Sequence, residues 1–472
     1  MRKKVVIVGA GPGGYSAAIR AAQRGASVTV VDRDNIGGIC LNWGCVPTKT
    51  LKATAELFSA MKRAGEFGIT VEGNIRVDMQ KVLARKDTVV RTCTEGIKDL
   101  FDRYEIGYIR GEGKISDEHT IEVTDTEGKI TRLPWDRLIL AMGTAPQELS
   151  ALPFDNKWIL STNEGVNLRE IPESILIVGG GVNGCELASI LAALGSKVTL
   201  VETLSRLLPI RSVDEDTSAV LLREMKKRNI TVLLDRTVEK AVVKEGKVRV
   251  TIVPSGRGDH EPVNLCADKV LVAAGRRPLT SGMGLEKLNI GIDAGGWIPV
   301  NGRMETGVPG VYAVGDIRGP SHPMLAHVAS AEGIAAAENS LGSDMTMDYR
   351  AVPLTLYTDP EVASVGLSEK EAVEQGYKAR SETFLFRTLA KAQAIGEISG
   401  QVKIVFEESG KVLGFHAIGP NVTDLIAEGV LALTMNATVK NIADTLHAHP
   451  TLSEVFSEAA HSALGFPLLK RP

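Results

Sequence analysis

Two cysteines five residues apart are the side chains of this sequence best suited to redox chemistry. Cys40 and Cys45 follow Gly37-Gly38 and precede Val46-Pro-Thr-Lys49. In an ideal helix, residues five apart have Cα atoms roughly 8 to 9 Å apart, beyond the ~7 Å that a disulfide spans. A bridge therefore needs a distorted first turn, which Gly44 permits, and a strained bridge is easily reduced. The spacing favours a redox disulfide over a structural one, with two small core cysteines as the alternative.

A histidine near the end of the chain could supply the base that a dithiol needs. The segment His447-Ala-His449-Pro450-Thr-Leu-Ser-Glu454 places two of the eight histidines beside a carboxylate. Pro450 and the residues after it predict a helix start, with His449 at the cap. A histidine held by an acid is a general base near neutral pH. Alone, the segment would be better explained as a surface histidine that caps a helix, but the candidate dithiol favours the base.

The other three cysteines carry no comparable pattern. Cys185 lies among Ala and Leu residues, which predicts a small buried side chain. Cys93 and Cys266 have no neighbouring Cys or His, so we expect no metal site. Five cysteines in 472 residues exclude a disulfide scaffold and favour a reducing, cytoplasmic compartment.

One supersecondary pattern that could hold cofactors occurs twice. Each copy has a strand, a glycine turn, a helix, a second strand and an acid. The first copy comprises Lys4–Val8, Gly9–Gly14, Tyr15–Arg24, Ser27–Val31 and Asp32; the second comprises Ser174–Val178, Gly179–Gly184, Cys185–Leu194, Lys197–Val201 and Glu202. Glycines let the backbone approach a pyrophosphate, the helix N-terminus donates N–H groups, and the acid accepts from ribose hydroxyls. Two such fingerprints imply two dinucleotides.

Composition narrows the remaining classes of protein. The formal net charge of −3 offers no basic field for nucleic acid or anionic membranes. Hydrophobic residues at 44% and charged residues at 24% indicate a globular chain. No run approaches 18 consecutive apolar residues, so we expect no membrane span. The 48 glycines exceed the usual share, which is typical of α/β proteins that hold phosphates.

The segments between and after the two fingerprints predict further elements. Helical periodicity covers Leu51–Lys62 and Met79–Arg103, and short alternating segments then indicate an antiparallel meander. From about residue 344, strands followed by helices at Val422–Met435 and Val439–Leu446 predict an α+β domain. The resulting boundaries are 1–146, 147–272, 273–343 and 344–472.

The combined motifs resemble those of the pyridine nucleotide-disulfide oxidoreductases. Gly37–Lys49 looks like the active-site signature of that family, and the motifs that support the likeness occur in the family's order along nearly the whole chain: Ala141–Pro146, Gly275–Pro278, Tyr312–Asp316, Met324–His327, Tyr357–Glu361 and His447–Glu454. The resemblance implies an α/β fold with two Rossmann-like dinucleotide-binding domains and a C-terminal α+β dimerisation domain. Residues 1–146 would bind FAD, 147–272 would bind NAD, 273–343 would complete the FAD site, and 344–472 would form the dimer interface.

The resemblance also implies roles for individual residues. The catalytic set would be Cys40, Cys45, His449 and Glu454, with Cys40 meeting the substrate and Cys45 facing the flavin. The FAD set would be Gly9, Gly11, Gly14, Asp32, Lys49, Gly113, Gly143, Asp316 and Ala326. The NAD set would be Gly179, Gly181, Gly184, Glu186, Glu202 and Gly275. Lys49 and Glu186 match an ion pair of the family beside the flavin. The acid Glu202 favours NAD over NADP, a preference that Arg206 could soften.

The implied activity is oxidation of dihydrolipoamide to lipoamide with NAD⁺, because the C-terminal motif is similar to that of family members with this substrate. The implied assembly is a homodimer in which His449 serves the opposite subunit. Lipoyl-bearing subunits of 2-oxoacid dehydrogenase complexes or of the glycine cleavage system are the candidate partners. Two alternatives stay open: an NAD(P)H-dependent reductase of another small disulfide, and a non-catalytic flavoprotein assembly subunit.

Overall fold

The chain folds into two units, each assembled from three separate segments. The first unit comprises Met1–Leu51, Asp78–Gln147 and Gly275–Met347, and the second comprises Lys52–Val77, Glu148–Ala274 and Asp348–Pro472. The structure is a computed structural model that describes residues 2–256 and 261–469.

The regular elements include both strands and helices, with two long runs of consecutive strands over residues 107–161 and 231–278. The strands are β1 Lys4–Val8, β2 Ser27–Asp32, β3 Gly107–Asp117, β4 Thr120–Asp125, β5 Ile130–Pro134, β6 Arg137–Leu140, β7 Thr144–Pro146, β8 Ile159–Ser161, β9 Ser174–Val178, β10 Lys197–Val201, β11 Thr231–Leu233, β12 Arg236–Lys244, β13 Lys247–Pro254, β14 Val263–Ala267, β15 Lys269–Val272, β16 Arg276–Pro278, β17 Val311–Ala313, β18 Leu354–Leu356, β19 Glu361–Gly366, β20 Ala379–Leu385, β21 Gln401–Glu407 and β22 Val412–Gly419. The helices are α1 Pro12–Gln23, α2 Gly38–Asn42, α3 Cys45–Lys62, α4 Met79–Arg103, α5 Thr162–Gly165, α6 Val182–Leu194, α7 Glu215–Lys227, α8 Ala326–Ser340, α9 Glu369–Glu374, α10 Ala390–Ile395, α11 Val422–Thr434, α12 Val439–Ala443 and α13 Glu454–Ala463.

The first unit is built on a sheet with strand order β17-β6-β1-β2-β3-β4-β5. Its first five strands run parallel, and β3, β4 and β5 continue as an antiparallel meander. Residues of β1 are apolar at every position after Lys4 and are buried, as a central strand covered on both faces requires. Alternate residues of β1 enter two separate apolar cores, one of which includes the alanines of α1 and α8.

The second unit repeats this arrangement with a different set of strands. A parallel sheet has the order β11-β10-β9-β15-β8, and β12, β13 and β14 form a separate antiparallel meander. The expected pair of dinucleotide-type folds is therefore confirmed. The second meander is an element that the sequence analysis did not predict.

The C-terminal part of the second unit is an antiparallel sheet with the order β18-β19-β22-β21-β20. Its apolar core joins strand residues such as Phe415 with helix residues such as Phe456, whose ring centroids lie 5.2 Å apart. This α+β arrangement confirms the fold class expected for the end of the chain.

Some helix boundaries agree with the sequence-based expectations and others differ. The helix predicted over Leu51–Lys62 ends at Lys62 but begins earlier, at Cys45. The helix predicted over Met79–Arg103 is confirmed at both ends. The helix predicted to continue to Leu446 ends at Ala443, and the one expected to begin at Pro450 begins at Glu454 with Ser453 as its N-cap. His449 is therefore not a helix cap. Thr451 N–H and the His449 ring both bond to the Glu454 carboxylate, which holds these residues in a turn before the helix.

Within the described residues, no helix is long and apolar enough to cross a membrane.

Candidate active site

Cys40 and Cys45 lie on two short helical segments separated by a break. Cys40 belongs to α2, Cys45 is the first residue of α3, and Trp43 and Gly44 between them leave the helical path. A Cβ atom on Gly44 would lie 3.1 Å from the Ile39 carbonyl oxygen, so the close approach of the two segments favours glycine here. Both cysteines are thiols in the structure, and their side chains are hydrogen-bonded to each other. The expected distortion is present, and it brings the two sulfur atoms together.

The surroundings of Cys40 act on its thiol in opposite directions. The hydrogen bond with the Cys45 side chain and burial both raise the pKa of Cys40. The ammonium of Lys49 and the Cys45 backbone N–H act to lower it. The net effect is a raised pKa, so Cys40 keeps its proton when both residues are reduced.

His449 and Glu454 form a hydrogen-bonded pair in the second unit. His449 Nδ1 lies 2.8 Å from Glu454 Oε1, and Thr451 N–H donates to Glu454 Oε2 at 2.8 Å. Burial raises the pKa of the Glu454 carboxyl, but the bonds from His449 and Thr451 outweigh it and leave the pKa lowered. An ionised Glu454 keeps the proton of His449 on Nδ1. The Nε2 atom of this exposed ring can then accept a proton.

The two glycine turns have the same internal geometry. A Cβ atom on Gly14 would lie 1.8 Å from the Gly9 carbonyl oxygen, and one on Gly184 would lie 1.8 Å from the Gly179 carbonyl oxygen. Gly9 and Gly179 themselves have φ values of +106° and +111°, in the region that favours glycine. These four glycines are therefore required by the packing of each turn against its own helix and strand.

The middle glycine of each turn differs because it faces open space. For a Cβ atom on Gly11, the nearest atom is the Gly38 Cα at 3.8 Å, and for one on Gly181 no atom of the described residues lies within 4 Å. Each glycine is the N-cap of a helix, α1 or α6, and the first N–H groups of a helix have no partner within the helix itself; Pro12, the first residue of α1, carries no N–H. Each turn thus provides an open cradle of donors that a pyrophosphate fits.

An acid links the end of the second strand to each glycine turn. Asp32 Oδ2 accepts the Ala10 N–H at 2.5 Å, and Glu202 Oε2 accepts the Gly180 N–H at 2.6 Å. Burial raises the pKa of Asp32, and bonds from the Ala10 and Asp34 N–H groups act against it. Each carboxylate keeps lone pairs that a ribose hydroxyl can use. Both turns therefore have the features that suit a dinucleotide, and the assignment of FAD to the first and NAD to the second stays a prediction.

Asp316 lies in a polar network of the first unit that includes two residues outside the predicted site set. Thr144 Oγ1 donates to Asp316 Oδ2 at 3.1 Å, and Arg276 Nε donates to Thr144 Oγ1 at 2.5 Å. Burial raises the pKa of Asp316, while the charge of Arg276 acts to lower it. Gly143 and Gly275, with φ values of +64° and +120°, precede Thr144 and Arg276 and turn the chain there.

Glu332, a residue that the sequence did not indicate, holds the turn that carries Asp316. Glu332 is 1% exposed, accepts the Gly315 N–H at 2.7 Å and forms a buried ion pair with Arg318. Gly315 and Arg318 are the ends of the 3₁₀ turn around Asp316. A glutamate in the middle of an alanine-rich helix carries no motif, so only its burial in the fold identifies it.

The remaining predicted cofactor residues occupy varied positions. Ala326 is the first residue of α8, where its N–H group lies at a helix N-terminus. Gly113 lies within β3, where a Cβ atom would be 3.1 Å from Val31 Cγ1. Glu186 is buried on α6 and accepts the Tyr357 N–H at 2.9 Å. Its pairing with Lys49, a residue of the first unit, stays a prediction.

Arg206 is occupied by the backbone beside the second turn. Its guanidinium donates to the Val213 and Ile210 carbonyl oxygens at 3.1 and 2.9 Å. These bonds use two of the five N–H donors of the guanidinium and hold Arg206 against the backbone.

The other three cysteines differ in burial, and none of them is part of a metal-binding group in the described residues. Cys185 is fully buried, as expected, and burial raises the pKa of its thiol. Cys93 is half-buried on α4, and Cys266 is exposed on β14. Over residues 2–256 and 261–469, no group of three or more His, Cys, Asp or Glu side chains could hold a metal ion.

Comparison with known proteins gives matches over nearly the whole chain. Residues 3–333 match the family model of the pyridine nucleotide-disulphide oxidoreductases, and residues 352–460 match the dimerisation domain of the same family, which supports a homodimer. The chain is 38% identical to a dihydrolipoyl dehydrogenase of Geobacillus stearothermophilus, over 98% of this chain and 97% of that protein. It is 40% identical to a dihydrolipoyl dehydrogenase of Thermus scotoductus, over 97% and 96% of the two chains. The crystal structure of LpdA from Mycobacterium tuberculosis is similar with a TM-score of 0.90 and 29% identity, over 98% and 99%.

Proposed function

The chain belongs to the pyridine nucleotide-disulphide oxidoreductases, and from this premise we propose that it is a dihydrolipoamide dehydrogenase that uses FAD and NAD⁺. The observation that carries the proposal is the close pair Cys40 and Cys45 in a chain that also holds two dinucleotide cradles. Relatives named dihydrolipoyl dehydrogenase, aligned over almost the full length of both chains, support this choice of substrate.

The proton of the substrate goes to His449 in this proposal. Glu454 holds Nδ1, so the Nε2 atom accepts a proton from one thiol of dihydrolipoamide. The resulting thiolate attacks Sγ of Cys40 in the Cys40–Cys45 disulfide, and Cys45 leaves as a thiolate. The second substrate thiol then attacks the substrate sulfur of the mixed disulfide and displaces Cys40, whose sulfur takes up the proton that this thiol loses. Lipoamide departs as the cyclic disulfide, and both cysteines are left reduced.

The two cradles would hold the cofactors that re-oxidise the pair. The turn at Gly9–Gly14 with Asp32, together with Asp316, would hold FAD, and the turn at Gly179–Gly184 with Glu202 would hold NAD. When bound, these groups carry the two electrons from the dithiol to the nicotinamide as a hydride. The protein itself supplies the N–H donors, the acids and the buried support of the Asp316 turn.

Assembly and location complete the proposal. The match to the dimerisation domain over residues 352–460 supports a homodimer, in which His449 serves the disulfide of the other subunit. The natural form of the substrate is a lipoyl group on a larger complex, of either the 2-oxoacid dehydrogenase or the glycine cleavage type. A cytoplasmic location agrees with a chain of five cysteines whose working pair must cycle between thiol and disulfide.

A direct rate comparison tests the proposal. The purified holoenzyme is assayed with dihydrolipoamide and NAD⁺, with dihydrolipoamide and NADP⁺, and with NADPH and glutathione disulfide. We expect turnover with NAD⁺ to exceed that with NADP⁺ by at least tenfold and the third reaction to be absent. Activity in the third assay alone would show that the chain reduces another small disulfide.

A further inference from the structure

His447, two residues before the proposed base, is bonded through both of its ring nitrogens. Nδ1 lies 2.9 Å from the Thr445 carbonyl oxygen, and Nε2 lies 3.0 and 3.1 Å from the two carboxylate oxygens of Glu428 on α11. The side chain of His447 is 8% exposed, whereas that of His449 is 69% exposed. One histidine of the pair is thus enclosed and the other is open to a substrate.

Both partners of the His447 ring are oxygen acceptors. A carbonyl oxygen has no hydrogen to give, and a carboxylate has none when ionised. Both contacts can therefore be hydrogen bonds at the same time only if each ring nitrogen carries a hydrogen. In that form His447 is a cation paired with Glu428, and the ring is fixed in position and orientation by two charge-assisted or polar bonds.

The segment that His447 anchors is also held by a bond from Thr451 Oγ1 to the Ala448 carbonyl oxygen at 2.8 Å. Residues 446–453 lie between α12 and α13 and have no regular secondary structure. Thr445 is tied back to α12 through the Asn441 carbonyl oxygen at 2.8 Å, and Thr451 is tied forward to Glu454. Between these points, His447 joins the segment to α11. Two residues of chain span at most about 7 Å, so movement of His447 is transmitted to His449.

When both of its ring nitrogens carry hydrogen, His447 also acts through its charge on Glu454, the partner of His449. Burial acts to raise the pKa of Glu454, the bonds from His449 and Thr451 act to lower it, and the charge of His447 adds to the lowering. An ionised Glu454 is the form that holds His449 with Nε2 ready to accept a proton. His447 therefore supports both the location and the protonation pattern of the base.

We propose that His447 and Glu428 form a second histidine–carboxylate pair, which positions His449 for proton transfer without touching the substrate. The inference rests on the proposed function, since it concerns the base of the dithiol reaction. His447 is a positioning residue, and Glu428 is the anchor that holds it.

Four variants of the holoenzyme test the pair. H447Q and E428A remove one partner each, and E428Q keeps an amide oxygen that can accept from Nε2. H461Q is the matched control, because His461 lies on α13 outside the segment 446–453. Three quantities are measured for each: the rate of flavin reduction by dihydrolipoamide, the rate of flavin reduction by NADH, and amide hydrogen exchange in the peptide that contains Thr451.

The positioning role predicts a split between these measurements. In H447Q and E428A, reduction by dihydrolipoamide slows by roughly 10- to 100-fold, since a misplaced base loses much of its contribution. Reduction by NADH changes by less than about twofold, because it does not use His449. Exchange of the Thr451 amide accelerates at least tenfold on the scale of local opening. E428Q restores most of the dithiol rate, and H461Q matches the wild type.

Two results would overturn the pair. If H447Q and E428A reduce the flavin with dihydrolipoamide at the wild-type rate, His447 does not position the base. If they slow both half-reactions equally, the pair has a general structural role. A wild-type enzyme that is reduced by NADH but not by dihydrolipoamide would instead contradict the proposed function. In that case, amide hydrogen exchange at Thr451 in H447Q and E428A would still show whether the His447–Glu428 pair holds residues 446–453 in place.

Discussion

Glu454 accepts a hydrogen bond from His449 at 2.8 Å while its second oxygen accepts the Thr451 N–H, so one carboxylate fixes both the ring and the turn that carries it. Replacing His449 with Gln should lower the rate of flavin reduction by dihydrolipoamide by roughly 10²- to 10⁴-fold, the usual contribution of a general base. Replacing Glu454 with Gln should have a smaller effect, because the ring remains. Stopped-flow absorbance measures both, and reduction by NADH should be unchanged. A loss of both half-reactions in H449Q would argue against a role confined to the dithiol step.

The cysteine pair gives the second prediction. C40S and C45S should each abolish turnover with dihydrolipoamide, because neither single thiol can form the disulfide that accepts the electrons. The bound flavin should still be reduced by NADH at a rate close to that of the wild type. C93S is the matched control, since Cys93 is half-buried on α4, outside the predicted site set. Residual dithiol turnover in either variant would mean that another group accepts the electrons.

Alanine substitutions within the second glycine turn should separate folding from binding. A Cβ atom on Gly184 would lie 1.8 Å from the Gly179 carbonyl oxygen, so G184A should fold poorly or lose several degrees of its unfolding midpoint. G181A meets no described atom within 4 Å, so it should fold normally but raise KM for NAD⁺ by roughly tenfold or more, because the methyl group occupies the pyrophosphate cradle. Thermal unfolding and steady-state kinetics measure the two effects. An unchanged KM in G181A would contradict NAD binding at this turn.

Cofactor preference should depend on Glu202 and not on Arg206. E202Q removes the charge that repels a 2′-phosphate, so the ratio of kcat/KM for NAD⁺ to that for NADP⁺ should fall by roughly tenfold. R206A removes two bonds to backbone carbonyl oxygens, so it should lower stability and leave the ratio unchanged. If the ratio changed more in R206A than in E202Q, the prediction would be wrong, and Arg206 would contribute more than Glu202 to the choice of cofactor.

Glu338 should make the stability of the first unit depend on pH. It pairs with Arg20 and Arg24 at 3.1 and 2.6 Å and also accepts from Ser343. Burial raises the pKa of Glu338, but these partners outweigh it and lower the pKa below its ordinary value of 4.5. The stabilisation is therefore present above that value and is lost as the pH falls through the folded-state pKa.

E338Q tests this dependence against the wild type. The variant should lose about 1 kcal/mol of stability at pH 7, because the arginines of the pair are partly exposed. Unfolding midpoints are measured from pH 7 down to values well below 4.5, and the wild-type and E338Q values should converge once the pH is below the folded-state pKa of Glu338. Parallel curves across the whole range would show that Glu338 contributes through packing and not through its charge.

Sequence patterns predicted those parts of the fold and of the candidate site that depend on residues close together in the chain. The glycine turn at Gly179–Gly184 and its acid at Glu202 lie on consecutive elements. The helical periodicity of Met79–Arg103 correctly predicted both ends of α4. The break between Cys40 and Cys45 followed from geometry alone.

Long-range partners were outside the reach of the sequence. Glu428 joins His447 across a separation of 19 residues, and Thr144 joins Asp316 across 172. Glu332 on α8 is bonded to Gly315 and Arg318, which lie 17 and 14 residues before it along the chain. The predicted start of α13 at Pro450 was wrong. The Glu454 side chain is bonded to His449 and Thr451, so these residues form a turn and the helix begins only at Glu454.

The short pairing of β7 with β16 has a topological consequence. Thr144–Pro146 and Arg276–Pro278 are hydrogen-bonded neighbours, and Gln147 N–H donates to the Gly275 carbonyl oxygen at 3.0 Å. The chain thus leaves the first unit and returns to it at adjacent points. Glu148–Ala274 is an insertion with neighbouring ends, so a short linker could replace it without stretching the host fold. New chain termini at this junction are the engineering route that this topology opens.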